Sequence, residues 1–236
     1  MSLASRAWLG ALLGVPLIVG CAARHAAGDG DPFVNAVRAI RPSVVLFTMK
    51  IPANDPHRRG QLDDAYGSGV IVASGHWGSQ VLTVAHVVAD ARNLHVRLDD
   101  RRTFGANVVA TNAETDLALV ATDARDLPAA RLGSSRSVQL GQAVGVAGYP
   151  IPDAFGDEGL GISLSAFAGR IAGIDKDALE LDLPVIPGES GGPVFDAVSG
   201  AVLGLAESRF EDEHAIGFAI PIDDARRFLH GRLRSS

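Results

Sequence analysis

Cysteine is almost absent. Cys21 is the only one in the chain, so no intramolecular disulfide can brace the fold, and packing and hydrogen bonding must hold it. No block of Lys and Arg is present and the net charge is −6, which argues against a nucleic-acid partner. None of the 7 histidines has metal-ligand spacing such as HExxH, so no metal or other cofactor is expected. No internal repeat divides the chain, and no low-complexity block appears beyond residues 22–32. Disorder is excluded as well, because 47% of the 236 residues are hydrophobic and 20% are charged. That composition and length suffice for one or two cores.

The chain opens with an export signal at residues 1–20. Arg6 and the amino terminus form a positive n-region, and Ala7 to Gly20 is uncharged and mostly apolar. This run contains Pro16 and falls short of the roughly 20 residues a membrane span needs. It ends Leu17-Ile18-Val19-Gly20-Cys21, which resembles the lipobox of bacterial lipoproteins. The resemblance implies lipidation at Cys21, which would become the mature amino terminus. With Ala22 next, an outer-membrane anchor follows in a host with two membranes. The competing reading is an ordinary signal cleaved after Ala23 or Ala27. Residues 21–33 are a tether, rich in Ala, Gly and Asp near its start, reaching on the order of 20 Å if flexible. Loss of residues 1–20 removes Arg6 and no acid, so the mature chain is one unit more acidic.

From Val34 onward short apolar runs alternate with turn signals. Strands are expected at Val44–Met49, Gly69–Ala73, Gln80–Val84, Leu94–Leu98, Phe104–Ala110 and Leu117–Thr122. After Asp126-Leu127-Pro128 a second set follows: Ala143–Ala147, Gly159–Arg170, Ala178–Leu183, Gly192–Phe195, Ala201–Ala206 and Ala215–Ala219. Two groups of six predict an all-β fold of two antiparallel barrels, over residues 34–128 and 129–221. A short helix is expected over 222–236, with Ala225, Phe228, Leu229 and Leu233 on one stripe and Asp223 and Asp224 near its start.

The chemistry centres on Pro187-Gly188-Glu189-Ser190-Gly191-Gly192-Pro193. Glycines on both sides let the backbone turn sharply and let another segment approach the serine. A serine hydroxyl is a weak nucleophile without an adjacent base. His86, at the end of Val81-Leu82-Thr83-Val84-Ala85, can be that base. Asp116, opening Asp116-Leu117-Ala118-Leu119-Val120, can orient it, since a carboxylate at the start of a buried strand needs a partner. The chain order His86, Asp116, Ser190 is that of the chymotrypsin constellation. Gly188 to Gly192 also fits G-x-S-x-G, but that nucleophile elbow needs its acid and histidine after the serine. His25, His57, His76, His95, His214 and His230 have no evident role, and the acids of Phe210-Glu211-Asp212-Glu213 read as a solvated hairpin tip.

Taken together with Pro42-Ser43-Val44-Val45, Gly67-Ser68-Gly69-Val70-Ile71-Val72, Gly148-Tyr149-Pro150 and Ala215-Ile216-Gly217-Phe218-Ala219-Ile220-Pro221, the chain from Val34 to Leu229 resembles a trypsin-fold serine endopeptidase, most closely the HtrA (Deg) branch. The resemblance implies attack by Ser190, proton transfer through His86 and an oxyanion hole made by the Gly188 and Ser190 N–H groups. It implies protein or peptide substrates in the cell envelope and leaves oligomerisation open. The position six before the nucleophile, where trypsin carries an acid, is Pro184. An apolar S1 pocket is therefore expected from Pro184 and Val185, faced by Leu205, Ala206, Ile216 and Phe218, with cleavage after Val, Ala, Ile or Leu. Glu207 leaning into that pocket would instead favour basic side chains. Two departures stand out: Glu189 replaces the usual Asp or Asn before the serine, and no PDZ domain follows. The rival reading is a catalytically silent binding protein or chaperone on the same fold.

Overall fold

The computed structural model describes residues 30–152, 161–207 and 216–234. The export signal, Cys21, His25 and most of the tether lie outside the described residues, as do Phe210–Glu213 and His214.

Two closed barrels form, with every strand antiparallel to its neighbours, as the two groups of short runs predict. The first contains β1 (Val44–Pro52), β2 (Leu62–Gly75), β3 (Gly78–Val84), β4 (Arg92–Arg97), β5 (Thr103–Asn112) and β6 (Leu117–Thr122). Its strands close in the order β1-β2-β3-β6-β5-β4. The second contains β7 (Ala143–Gly148), β8 (Ser165–Ile174), β9 (Leu179–Leu181), β10 (Pro193–Asp196), β11 (Val202–Glu207) and β12 (Gly217–Pro221). Its order is β10-β11-β12-β9-β8-β7. Closure leaves neither sheet an open edge.

Apolar side chains fill each barrel. Val144 and Val146 of β7 and Leu179 and Leu181 of β9 point inward with Ile171, Val194 and Leu203 to make the second core. The first core gathers Leu46, Val70, Leu82, Val96, Leu119 and their neighbours, and continues through Phe195, Val202 and Leu205 into the seam between barrels. In β5 the register slips between Val108 and Ala110. Such a bulge sets successive residues out of alternation, and both Val108 and Val109 end up exposed.

Several segments differ from expectation. β2 begins seven residues early, at Leu62, because Asp63 and Asp64 continue the ladder opposite Ile51 and Lys50. Lys50 and Asp64 form an ion pair there (2.8 Å). Two adjacent acids hide a strand from any apolar-alternation rule. β8 runs Ser165–Ile174, further along than Gly159–Arg170, because its ladder opens where Ser165 meets Gly148. The terminal helix stops at Leu229, two residues before Gly231 takes a φ of +73°, and Leu233 falls off the stripe.

Among the elements of the described residues, three α-helices surround the barrels. α1 (Pro32–Ile40) has no counterpart among the expected elements and takes in Pro32 and Phe33, the end of the expected tether. Asp31 caps it, accepting from Phe33 N (2.8 Å), and Pro32 starts it. Phe33 stacks on Phe195 of the second barrel, ring centres 5.9 Å apart. α2 is the single turn Ala85–Val88. α3 (Ile222–Leu229) packs Ile222, Ala225, Phe228 and Leu229 inward. Its Asp223 carboxylate accepts from Ser135 N and from the Ser134 and Ser135 hydroxyls (2.9–3.0 Å). Beyond α3 the chain crosses to the first barrel. There buried Gln80 donates to Arg232 O (3.0 Å) and accepts from Arg234 N (2.7 Å).

Candidate active site

The cleft between the barrels, of about 1050 Å³, is lined by both. His86 comes from the first barrel and Gly188 and Ser190 from the second. Another groove, of about 830 Å³, lies against β3, β4 and β5, where Gln80, His95 and Arg232 sit. It has no serine paired with a base, for the His95 ring is already bonded to Asn93 O (2.7 Å).

His86 stands on α2, immediately after β3. Asp116 precedes β6, the strand next to β3, so the chain folds back as a ladder that returns the acid to a histidine thirty positions earlier. The grip is double. One Asp116 oxygen accepts from His86 N (2.8 Å) and the other bonds Nδ1 (2.6 Å). Asp116 adopts a φ of +50° to do so, a conformation Asp tolerates better than most residues. The Asp116 bond raises the imidazole pKa against partial burial, with Glu207 adding a smaller push. Nδ1 is thus occupied, which leaves Nε2 to serve as the base. No hydrogen bond joins the ring to the Ser190 hydroxyl; in many enzymes that contact tightens only with substrate.

Successive peptides around the serine are each pinned. Pro187 O accepts from Ile151 N (2.7 Å), Glu189 O from Gly192 N (2.8 Å) and Ser190 O from Ser68 N (2.9 Å). A trans peptide points its N–H opposite its C=O. Holding the Pro187 and Glu189 oxygens therefore aims the Gly188 and Ser190 N–H groups the other way, and neither donates to another described residue. Two such N–H groups can stabilise an oxyanion. Glycine is required at two points. Gly188 has φ +96°, and a Cβ there would lie 2.3 Å from Tyr149 O. Gly191 has φ +83°, and a Cβ would lie 2.1 Å from Thr83 Oγ1.

Glu189 is fully buried. Its Oε2 accepts from Ile186 N (2.8 Å), while Glu189 N donates to Ile186 O (2.9 Å). The side chain thereby closes its own turn. Its Oε1 is buried without a partner among the described residues. Burial pushes the carboxyl up to about 7, with only the Ile186 bond opposing.

Of the expected pocket, Pro184 and Val185 line the cleft, joined by Ile186 and Pro187. Leu205, Ala206, Ile216 and Phe218 do not. Leu205 and Ala206 are fully buried, their side chains absorbed by the first and second cores. Ile216 is exposed beside the undescribed 208–215 stretch, and Phe218 pairs with Glu207 across β11 and β12. Ile51, Pro52, Ala65 and Tyr66, brought in by the long β1–β2 hairpin, also line the cleft. No group of three or more His, Cys, Asp or Glu side chains able to hold a metal occurs among the described residues.

Comparison with known proteins finds relatives in sequence and in fold. The trypsin-like peptidase domain matches residues 67–205. A Pseudomonas putida protein named "Probable periplasmic serine endoprotease DegP-like" is 36% identical over 180 residues, covering 74% of this chain and 35% of its own. A relative of the same name from Hahella chejuensis is 33% identical over 184 residues, covering 72% and 36%. The chain thus spans about a third of the length of these curated relatives. Among solved structures, the HtrA-type protease AlgW with tripeptide superposes with a TM-score of 0.69 at 28% identity, covering 84% of this chain and 62% of that one. A serine endoprotease from Yersinia pestis gives 0.67 at 29%, covering 84% and 65%.

Proposed function

This chain belongs to the trypsin-like peptidase family, among the relatives of DegP and HtrA, and on that premise we propose that it is a serine endopeptidase of the bacterial envelope. The observation that carries the reading is the double Asp116–His86 bond opposite a serine whose loop offers two unspent N–H donors. Ser190 Oγ attacks the scissile carbonyl as His86 Nε2 takes its proton. Asp116 holds the ring and stabilises the imidazolium, and the Gly188 and Ser190 N–H groups receive the oxyanion. His86 then protonates the leaving amine, and water repeats the sequence to release the acyl group. Against the silent-binder alternative stands the oxyanion loop, whose Pro187, Glu189 and Ser190 carbonyls are all held by hydrogen bonds.

Substrates are polypeptides, held with an apolar side chain against the apolar run Pro184, Val185 and Ile186, which lines the cleft. The periplasmic names of the relatives support export. Cys21, at the end of the apolar leader, is proposed to carry the lipid anchor. Intact mass should show a lipid-sized increment on a chain beginning at Cys21, and an unmodified chain beginning at Arg24 or later would refute the anchor. For the activity, a fluorophosphonate probe should label the purified wild-type chain and spare Ser190→Ala. Equal labelling of both, or of neither, would refute it.

A further inference from the structure

One side chain of the first barrel reaches the oxyanion loop of the second. Ser68 lies on β2, fully buried. Its hydroxyl donates to Gly188 O (2.7 Å) and accepts from Tyr149 N (3.0 Å). Its own N–H donates to Ser190 O (2.9 Å), and its carbonyl accepts from Thr83 Oγ1 on β3 (2.8 Å). Every polar atom of Ser68 is therefore committed. Three of its four bonds go to the loops beside the nucleophile, while the fourth ties it back to its own barrel.

The consequence falls on Gly188. Glu189 N, the other end of the Gly188 carbonyl's peptide, is fixed by Ile186 O (2.9 Å). The Ser68 hydroxyl fixes the oxygen end. With the preceding peptide anchored through Pro187 O on Ile151 N, both planes flanking the Gly188 Cα are set. So is the left-handed φ of +96°, which a glycine would otherwise leave freely. That φ determines where the Gly188 N–H points. We propose that Ser68 is a positioning residue of the oxyanion hole, whose hydroxyl holds Gly188 in the one backbone state that aims its N–H at the developing charge. The inference rests on the peptidase reading above and adds to it a link from the first barrel to transition-state binding.

Ser68→Ala leaves Gly188 O and the buried Tyr149 N without their partner. Oxyanion donors act only in the transition state, so kcat should fall by on the order of ten- to a hundredfold, with KM nearly unchanged. The pH at which activity rises should stay where it is, because nothing around His86 has moved. Ser68→Thr retains the hydroxyl and should recover kcat to within about threefold of wild type, even at a lower melting temperature. Rates are normalised to sites counted by fluorophosphonate labelling, so a partly folded variant still yields a kcat. A peptidyl boronic acid, which forms a tetrahedral adduct on the serine, should lose affinity in Ser68→Ala by the same factor as kcat/KM. Binding of a plain substrate peptide, compared in Ser190→Ala with and without Ser68→Ala, should not change. Wild-type kcat in Ser68→Ala, or equal losses of substrate and boronate binding, would overturn the proposal as a merely structural role. Failure of the wild-type chain itself to be labelled would overturn the peptidase reading, and this inference with it.

Discussion

Replacing Glu189 by glutamine isolates the cost of a buried, half-partnered carboxylate. The Glu189 side chain is wholly shielded from solvent, one oxygen accepting from Ile186 N and the other unpartnered among the described residues. Its pKa rises from 4.5 to about 7, chiefly through desolvation. The native state therefore holds a proton that the unfolded chain releases in that interval. A raised folded pKa contributes stability that is complete below the unfolded value and is lost as pH climbs through the folded one. The span corresponds to about 3 kcal/mol, at 1.36 kcal/mol for each pH unit. The glutamine side chain has the same shape, keeps an acceptor for Ile186 N and never ionises. Urea denaturation of the wild-type and Glu189→Gln chains, both in a Ser190→Ala background to prevent autolysis, measures the effect. The stability difference should shift in favour of the glutamine variant by about 3 kcal/mol between roughly pH 4 and pH 8, most of it before pH 7. Parallel curves across that range would show that the carboxyl is not held protonated by its burial, and the reasoning would fail.

Three further outcomes follow from the same geometry. Because Asp116 raises the His86 pKa, the acid limb of kcat/KM should lie above the ordinary histidine value; Asp116→Asn should move it down and cut kcat by on the order of 10⁴, and a wild-type limb at or below the ordinary value would contradict this. A peptide-library digest should show cuts after Val, Ala, Ile or Leu, graded because each methylene discriminates by only about 1–3 kcal/mol; cuts mainly after Lys or Arg would mean that a carboxylate such as Glu207 serves the pocket. Phe33→Ala should destabilise the fold by roughly 2 kcal/mol, as expected for a half-buried ring stacked on another, and an unchanged urea midpoint would show that α1 is not part of the folded unit.

Strands announced by β-branched apolar runs, such as Val44–Met49 and Leu117–Thr122, were legible because both faces of those strands are buried, which makes the runs continuous. The pairing of His86 with Asp116 was legible too, since few other arrangements place an acid at the mouth of a buried strand. What stayed hidden was set by distant contacts. Asp63 and Asp64 read as loop, yet they extend β2 because β1 is there to pair with them. Leu205 and Ala206 have the right chemistry for a substrate pocket, but each face of β11 is claimed by a core. α1 carries its own signals, Asp31 as cap and Pro32 at the first position, which lie within a stretch that reads as tether. Ser68 sits inside the motif Gly67-Ser68-Gly69 without a role evident there, because its partners Tyr149 and Gly188 are far off in sequence.

The two ends of the described chain are crossed. α1, from the beginning, is seated on the second barrel through Phe33 and Phe195, and the residues after α3 are clasped by Gln80 of the first. During vectorial synthesis the first barrel emerges with its Gln80 amide unmet, and the partner arrives 152 residues later. The opening helix must likewise wait for the second barrel to take shape. Neither half is then a self-sufficient unit, and long-range closures of this kind come late in folding. Cut between the barrels, the two fragments should each be poorly folded alone and regain structure when mixed, each supplying the arm the other lacks.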